Sequence, residues 1–266
     1  MRSRTRSLAL HSAVATRDAR WIVLPILAGL ATLVAFASSA GAQIQGRGFL
    51  FRPPIGSFAV RAGFAQANAK SEIFSFVTDE LTLGRSDFAS PSVDADLAIR
   101  VAPRLDVVLG ASYSGRHAQS EFRHFVDNND LPIEQTTGLV RVPVTAGAKL
   151  YLTSRGRSIG RFAWVPSTWS PFIGAAAGAM WYQFKQEGDF INMETLDVFP
   201  DTYESSGWAA TAHGVAGLDI SLGPRFGLTG EGRYTWGKAP MDRDFRGFDK
   251  IDLSGYNASV GIYVRF

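Results

Sequence analysis

The chain contains no cysteine. This excludes disulfides, thiolate metal sites, cysteine nucleophiles and a lipid-modified amino-terminal cysteine. Histidine is nearly as scarce, with four residues, of which His213 alone falls in a regular strand pattern. Long apolar runs are rare as well. The run Ile22 to Ala37 is shorter than the about 20 residues that a membrane-spanning helix requires, and it contains Pro25. Before it stand Arg2, Arg4, Arg6, Arg17 and Arg20 against Asp18, and after it Ser38-Ser39-Ala40-Gly41-Ala42. A basic segment, an apolar segment and an A-x-A site are the parts of a secretory signal peptide. Residues 1–42 are therefore expected to be a signal removed after Ala42, with an uncleaved anchor as the alternative.

An excess of charge is missing too. The formal charge of +3 comes from 27 basic and 24 acidic residues. Residues 1–42 hold five Arg and one Asp, so 22 basic and 23 acidic side chains remain beyond them, a net of −1. No basic patch is left in the sequence to suggest a nucleic-acid partner.

What the remainder does have is alternation. In the last twelve residues Tyr256, Ala258, Val260, Ile262, Val264 and Phe266 share one parity, and Asn257, Ser259, Gly261, Tyr263 and Arg265 the other. Successive strand side chains point to opposite faces, so this is a strand with one apolar and one mostly polar face. The pattern recurs upstream. An extended segment over 43–56 leads into a first strand at Ser57–Ala69, with Phe58, Val60, Ala62 and Phe64 opposite Ala59, Arg61, Gly63 and Ala65. Ser92–Ala102 sets Val93, Ala95, Leu97, Ile99 and Val101 against Asp94, Asp96, Ala98 and Arg100. After the turn Pro103-Arg104, Leu105–Ser114 carries Asp106 on its polar side. The strand at Thr136–Thr153 places Val140, Val142, Val144, Ala146, Ala148, Leu150 and Leu152 opposite Arg141, Thr145 and Lys149. The Gly/Ala-rich fifth strand, Pro171–Gln186, has no clear facing. The sixth, Gly207–Leu222, opposes its apolar row with Thr211, His213, Asp219 and Ser221, and the seventh with Thr229, Glu231, Arg233 and Thr235.

Long connections at Lys70–Pro91, Gly115–Gln135, Glu187–Ser206 and Gly237–Ser254 alternate with short turns, as in barrels whose external loops alternate with periplasmic turns. Phe58, Tyr113, Trp208, Trp236, Tyr256 and Phe266 lie near strand ends, where interfacial girdles form. The connection Ser154–Ser170, with Trp164 and Trp169, is long for a periplasmic turn. The chain resembles the small eight-stranded outer-membrane β-barrels of Gram-negative bacteria, OmpA-like and OmpW-like. That resemblance implies an all-β, eight-stranded antiparallel up-and-down transmembrane barrel over 57–266. It also implies that Phe266 belongs to the signal read by the outer-membrane assembly machinery.

With the apolar rows toward lipid, the opposite rows fill the bore. Arg61, Arg100, Arg141, Lys149, Arg233 and Arg265 then meet Asp94, Asp96, Asp106, Asp219 and Glu231, with His213 among them. A barrel of eight strands has room for little beyond its own side chains. Unpaired buried charge is costly, so these groups are expected to pair into a plug, with Glu231 the first candidate partner of Arg233 and Asp94 and Asp96 next. His117, Glu121 and His124 have a spacing that suits a metal only on a helix. Thr211 is the nearest same-face hydroxyl to His213, and no Ser/His motif is matched. The expectation is a non-enzymatic, cofactor-free, monomeric outer-membrane barrel that is structural or interacts through its loops, its extracellular ligand unassigned. Passage of small hydrophobic compounds, a lipid-A-modifying enzyme and a soluble lipocalin-type barrel are the alternatives.

Overall fold

A computed structural model describes residues 48–127, 130–192 and 195–266; the signal peptide and its cleavage at Ala42 lie outside them. Its barrel strands are β1 (Gly56–Ala67), β2 (Ala89–Ala102), β3 (Leu105–Val126), β4 (Pro132–Tyr151), β7 (Trp169–Ile191), β8 (Val198–Ser221), β9 (Phe226–Ala239) and β11 (Gly255–Arg265). Two short strands, β5 (Gly156–Ile159) and β6 (Ala163–Pro166), form a separate hairpin, and β10 (Ile251–Asp252) leans on β9. The ring runs β9-β11-β1-β2-β3-β4-β7-β8 and closes because β8 pairs back onto β9. Every neighbouring pair is antiparallel, and β1 joins the two ends of the chain by pairing with β2 on one side and β11 on the other. This is an eight-stranded up-and-down β-barrel.

The two rows of each strand face as the alternation requires. Val60, Phe64, Val93, Val107, Leu109, Val260 and Ile262 are all at least 40% exposed on the outside, while Arg61, Asp94 and Asp106 are at most 1% exposed inside. A lipocalin-type barrel would have the reverse arrangement, so that alternative is overturned. Val140 and Val142 are covered although they point outward, because Trp181 and Tyr113 pack against them. The fifth strand of the sequence, now β7, turns Phe172, Met180, Tyr182 and Phe184 inward and Ile173 outward. Its facing is illegible in sequence because the inner row is apolar at both ends of the bore.

Two of the expected long loops are strand. β3 and β4 stay paired to Glu121↔Glu134 and rejoin at Val126↔Pro132, and β7 and β8 are paired to Ile191↔Val198. Spanning a bilayer takes roughly 9–11 residues, so β3, β4, β7 and β8, with 20 to 24 residues each, rise well beyond it. There the outward face meets water and carries polar residues, while inward residues such as Ser120, Ile133, Gln135, Gln186 and Ser205 stay buried, so the apolar-out alternation vanishes although the backbone ladder continues. The His117, Glu121 and His124 spacing thus falls on strand β3 and not on a helix. Among the described residues no group of three or more His, Asp or Glu is placed to hold a metal.

The first long connection holds a helix, α1 (Glu72–Glu80), and a 3-10 turn at Arg85–Phe88. Ile73, Phe74 and Val77 fall on one helical face, and Glu72 in the first turn suits the positive end of the helix dipole. That face docks on an apolar core inside the outer end of the barrel, made with Leu81, Phe88, Leu139, Met180, Phe184, Phe245 and Leu253. The Phe74 ring meets those of Phe88 and Phe184 edge-on at 4.9 and 5.7 Å. At the opposite end the Ser154–Ser170 connection is long because it carries the β5–β6 hairpin, turned at Gly160 with φ +64°. Leu50 and Trp164 exchange backbone hydrogen bonds of 2.9 and 2.7 Å, which ties the N-terminal segment to this hairpin.

Candidate functional site

The bore is filled at three levels. In the middle, β1, β2 and β9 bring Arg61, Asp94, Asp96, Glu231 and Arg233 into one cluster. Arg61 bonds to Asp96 and lies 3.5 Å from Glu231. Arg233 donates to Glu231 Oε1 from Nη2 at 2.7 Å and from Nε at 3.1 Å, and to Asp94 Oδ1 from Nη1 at 3.3 Å. Glu231 thus bridges the two guanidinium groups. The register explains the meeting, since Arg61 is the direct cross-strand partner of Asp94, with Asp96 two residues along. Gly110 leaves the space required, because a Cβ there would lie 2.5 Å from Asp96 Oδ1. Lys149 and His213 adjoin the cluster and line a cavity of about 20 Å³ with Asp96, Glu231 and Arg233. The Lys149 ammonium rests 4.0 Å from the centre of the Phe172 ring, a cation–π contact.

Nearer the terminal end, Tyr151 donates to Asp219 at 2.8 Å, and Arg155, delivered by the hairpin connection, pairs with Asp106 at 2.6 Å. Arg265 donates to Ser221 Oγ at 2.8 Å and to Tyr263 Oη at 2.6 Å. Trp164, 2% exposed, packs beneath the Arg265 guanidinium at 5.7 Å. At the outer end Arg141 donates to the Leu253 carbonyl at 3.1 Å, where the apolar core under α1 begins.

Of the twelve residues assigned to the bore by sequence, five share the central cluster and Lys149 and His213 border it. Asp106, Arg141, Asp219 and Arg265 are buried at other levels. Arg100, half-buried at the end of β2, donates to the Pro103 carbonyl at 3.3 Å and lines a cavity of about 10 Å³ with Tyr151, Arg155, Asp219 and Arg265. Tyr151 and Tyr263 lie on the inward parity read from the sequence, whereas Arg155 and Trp164 were missed as bore residues. For Arg155 and Trp164 the signal was the unexplained length of their connection. Thr211 Oγ donates to the Trp236 carbonyl at 2.9 Å, which commits the hydroxyl nearest His213 in its strand to the backbone.

Three cavities in or at the mouth of the bore measure about 30, 20 and 10 Å³. Each holds a water or two at most, since one water needs about 10–15 Å³. Arg61 Nε and Nη1, Asp94 Oδ2 and Ser259 Oγ are buried without a protein hydrogen-bond partner.

No protein-family model matches the chain, and no curated protein matches it. Solved structures similar to it include Neisserial surface protein A, 14% identical over 79% of this chain and 99% of that one, with a TM-score of 0.43. OprG of Pseudomonas aeruginosa is 14% identical over 82% and 99%, with a TM-score of 0.42. Ail, the attachment invasion locus protein of Yersinia pestis, is 14% identical over 79% and 99%, with a TM-score of 0.40. The fold of this chain is defined by its own closed ladder of eight strands, apolar outside and charged within, which is the architecture of small outer-membrane barrels.

Proposed function

We propose that the chain is an integral outer-membrane β-barrel whose bore is a plug and not a path, and which acts without catalysis through the structure raised by its longest strands. The observation that carries this reading is the filling of the bore at all three levels, with an apolar core and α1 over one mouth, the ion-paired cluster at mid-height, and Trp164 with its hairpin under the other. Lipid is its surroundings, the assembly machinery its expected partner through Phe266, and a monomer its expected state. The Thr211 hydroxyl, held by a backbone carbonyl, gives His213 no nucleophile in its own strand.

A second reading, lateral passage of small hydrophobic compounds, draws on a depression of about 890 Å³ in the lipid-facing side, floored by Gly214, Ala216, Gly232 and Ala258. Beneath it β8, β9 and β11 pair without a gap, which favours the plug.

The membrane assignment is tested by fractionation and gel mobility. The protein is expected in outer membranes, beginning at or near Gln43. Unheated samples should migrate anomalously, since a closed ring has no free edge from which to unravel. Recovery as a soluble periplasmic protein, with one mobility before and after boiling, would contradict it.

A further inference from the structure

Charge is distributed unevenly between the two ends of the barrel. At the terminal end, where β1 begins and β11 finishes, Arg52, Arg104, Arg157 and Arg161 are exposed. The acids near that end, Asp106 and Asp219, are 1% and 7% exposed and already bonded to Arg155 and Tyr151. Among the described residues this end therefore presents arginine with no exposed acidic side chain, whereas Glu187, Asp201 and Asp249 are among the exposed acids of the opposite end. The arginines adjoin the edge of the apolar band. Ile55, Val101, Leu152 and Phe226 are 51–70% exposed there, and Arg104 Nη1 reaches the Leu152 carbonyl at 3.5 Å. At the hairpin tip Arg157 and Arg161 flank Ile159 and Phe162, which are 53% and 73% exposed.

We infer that this arginine rim is a binding belt for the phosphates of anionic phospholipid headgroups in the leaflet that bounds the terminal end; the inference rests on the membrane-spanning reading above. An arginine stem lies along apolar surface while its head stays in the polar layer. Its planar fork matches phosphate oxygens in pairs, which a lysine does not. The exposed cations named here are all arginine. Ile159 and Phe162 supply apolar anchors of the kind that seat a basic segment at a lipid interface.

The test uses the mature chain with Trp181, Trp208 and Trp236 replaced by Phe, which leaves Trp164, 2% exposed and shielded from lipid, and Trp169, 58% exposed at this end, whose emission reports on its lipid neighbours. Vesicles of phosphatidylcholine containing brominated phosphatidylglycerol, or brominated phosphatidylcholine, quench it in proportion to local lipid occupancy. The anionic lipid should be preferred by about fivefold or more at low salt, the preference one arginine beside an anionic surface confers. With Arg52→Gln, Arg104→Gln, Arg157→Gln and Arg161→Gln combined, the preference should fall to about one, while heat-dependent gel mobility persists. An inserted protein with no preference, or a preference that survives the four substitutions, would overturn the inference. So would binding to purified cell-wall sacculi that needs these arginines in a protein indifferent to lipid charge, which would assign the rim to a wall polymer. Failure to insert in any vesicle would overturn the membrane reading itself, and this inference with it.

Discussion

Replacing Arg233 with alanine removes the group that holds most of the central cluster together. Its side chain is 9% exposed and its acidic partners, Glu231 and Asp94, are 3% and 0% exposed. Three carboxylates now face two guanidinium groups; after the change they face one. Glu231 keeps Arg61 at 3.5 Å, but Asp94 loses its ion pair, and its second oxygen already has no protein partner. Breaking a buried pair from one side costs about 3–5 kcal/mol, against about 0–1 kcal/mol for a surface pair. Arg233→Ala should therefore unfold at clearly lower urea in detergent micelles, followed by tryptophan fluorescence and by loss of the fast-migrating gel form. Adding Asp94→Asn should recover more of the loss than adding Glu231→Gln, because Glu231 retains a cation and Asp94 does not. An Arg233→Ala variant as resistant as the wild type would mean that water, not protein, surrounds these charges.

Two further changes probe the ends of the barrel. Deleting Phe266 removes one aromatic, worth about 1.5–3 kcal/mol, and the bonds its backbone makes to Ile55 and Gly56; outer-membrane yield should fall far more than the stability of the assembled fraction, and an unchanged yield would remove this residue from the assembly signal. Arg155→Ala leaves Asp106 buried without its partner and should cost about 3 kcal/mol; urea midpoints should show partial recovery when Asp106→Asn is added, and no loss in the single variant would mean the hairpin is not seated by this pair.

The parts of the fold that cross lipid were legible because lipid on one side and charge on the other force strict alternation. Val93 to Val101 against Asp94 to Arg100 needs no structure to interpret, and the same parity puts Arg61, Asp94, Asp96, Glu231 and Arg233 on the inner face. Which of them touch depends on strand register, which alternation alone does not fix. Residues 115–126 of β3, 132–135 of β4, 187–191 of β7 and 198–206 of β8 were read as loop because, away from lipid, neither face has to be apolar. The α1 face of Ile73, Phe74 and Val77 was present in the sequence at helical spacing, but nine residues within a polar stretch give a short signal. Trp164 and Arg155 act through a hairpin folded back under the bore, a long-range placement that no local pattern carries.

The central claim, that the bore is closed by its own side chains, is tested most directly by single-channel recording of the mature protein in planar lipid bilayers. With cavities of about 10 to 30 Å³ and an ion-paired cluster at mid-height, the wild type should show no steady conductance. Large, stable current steps from the inserted wild-type barrel would contradict the plug and give the passage reading first place.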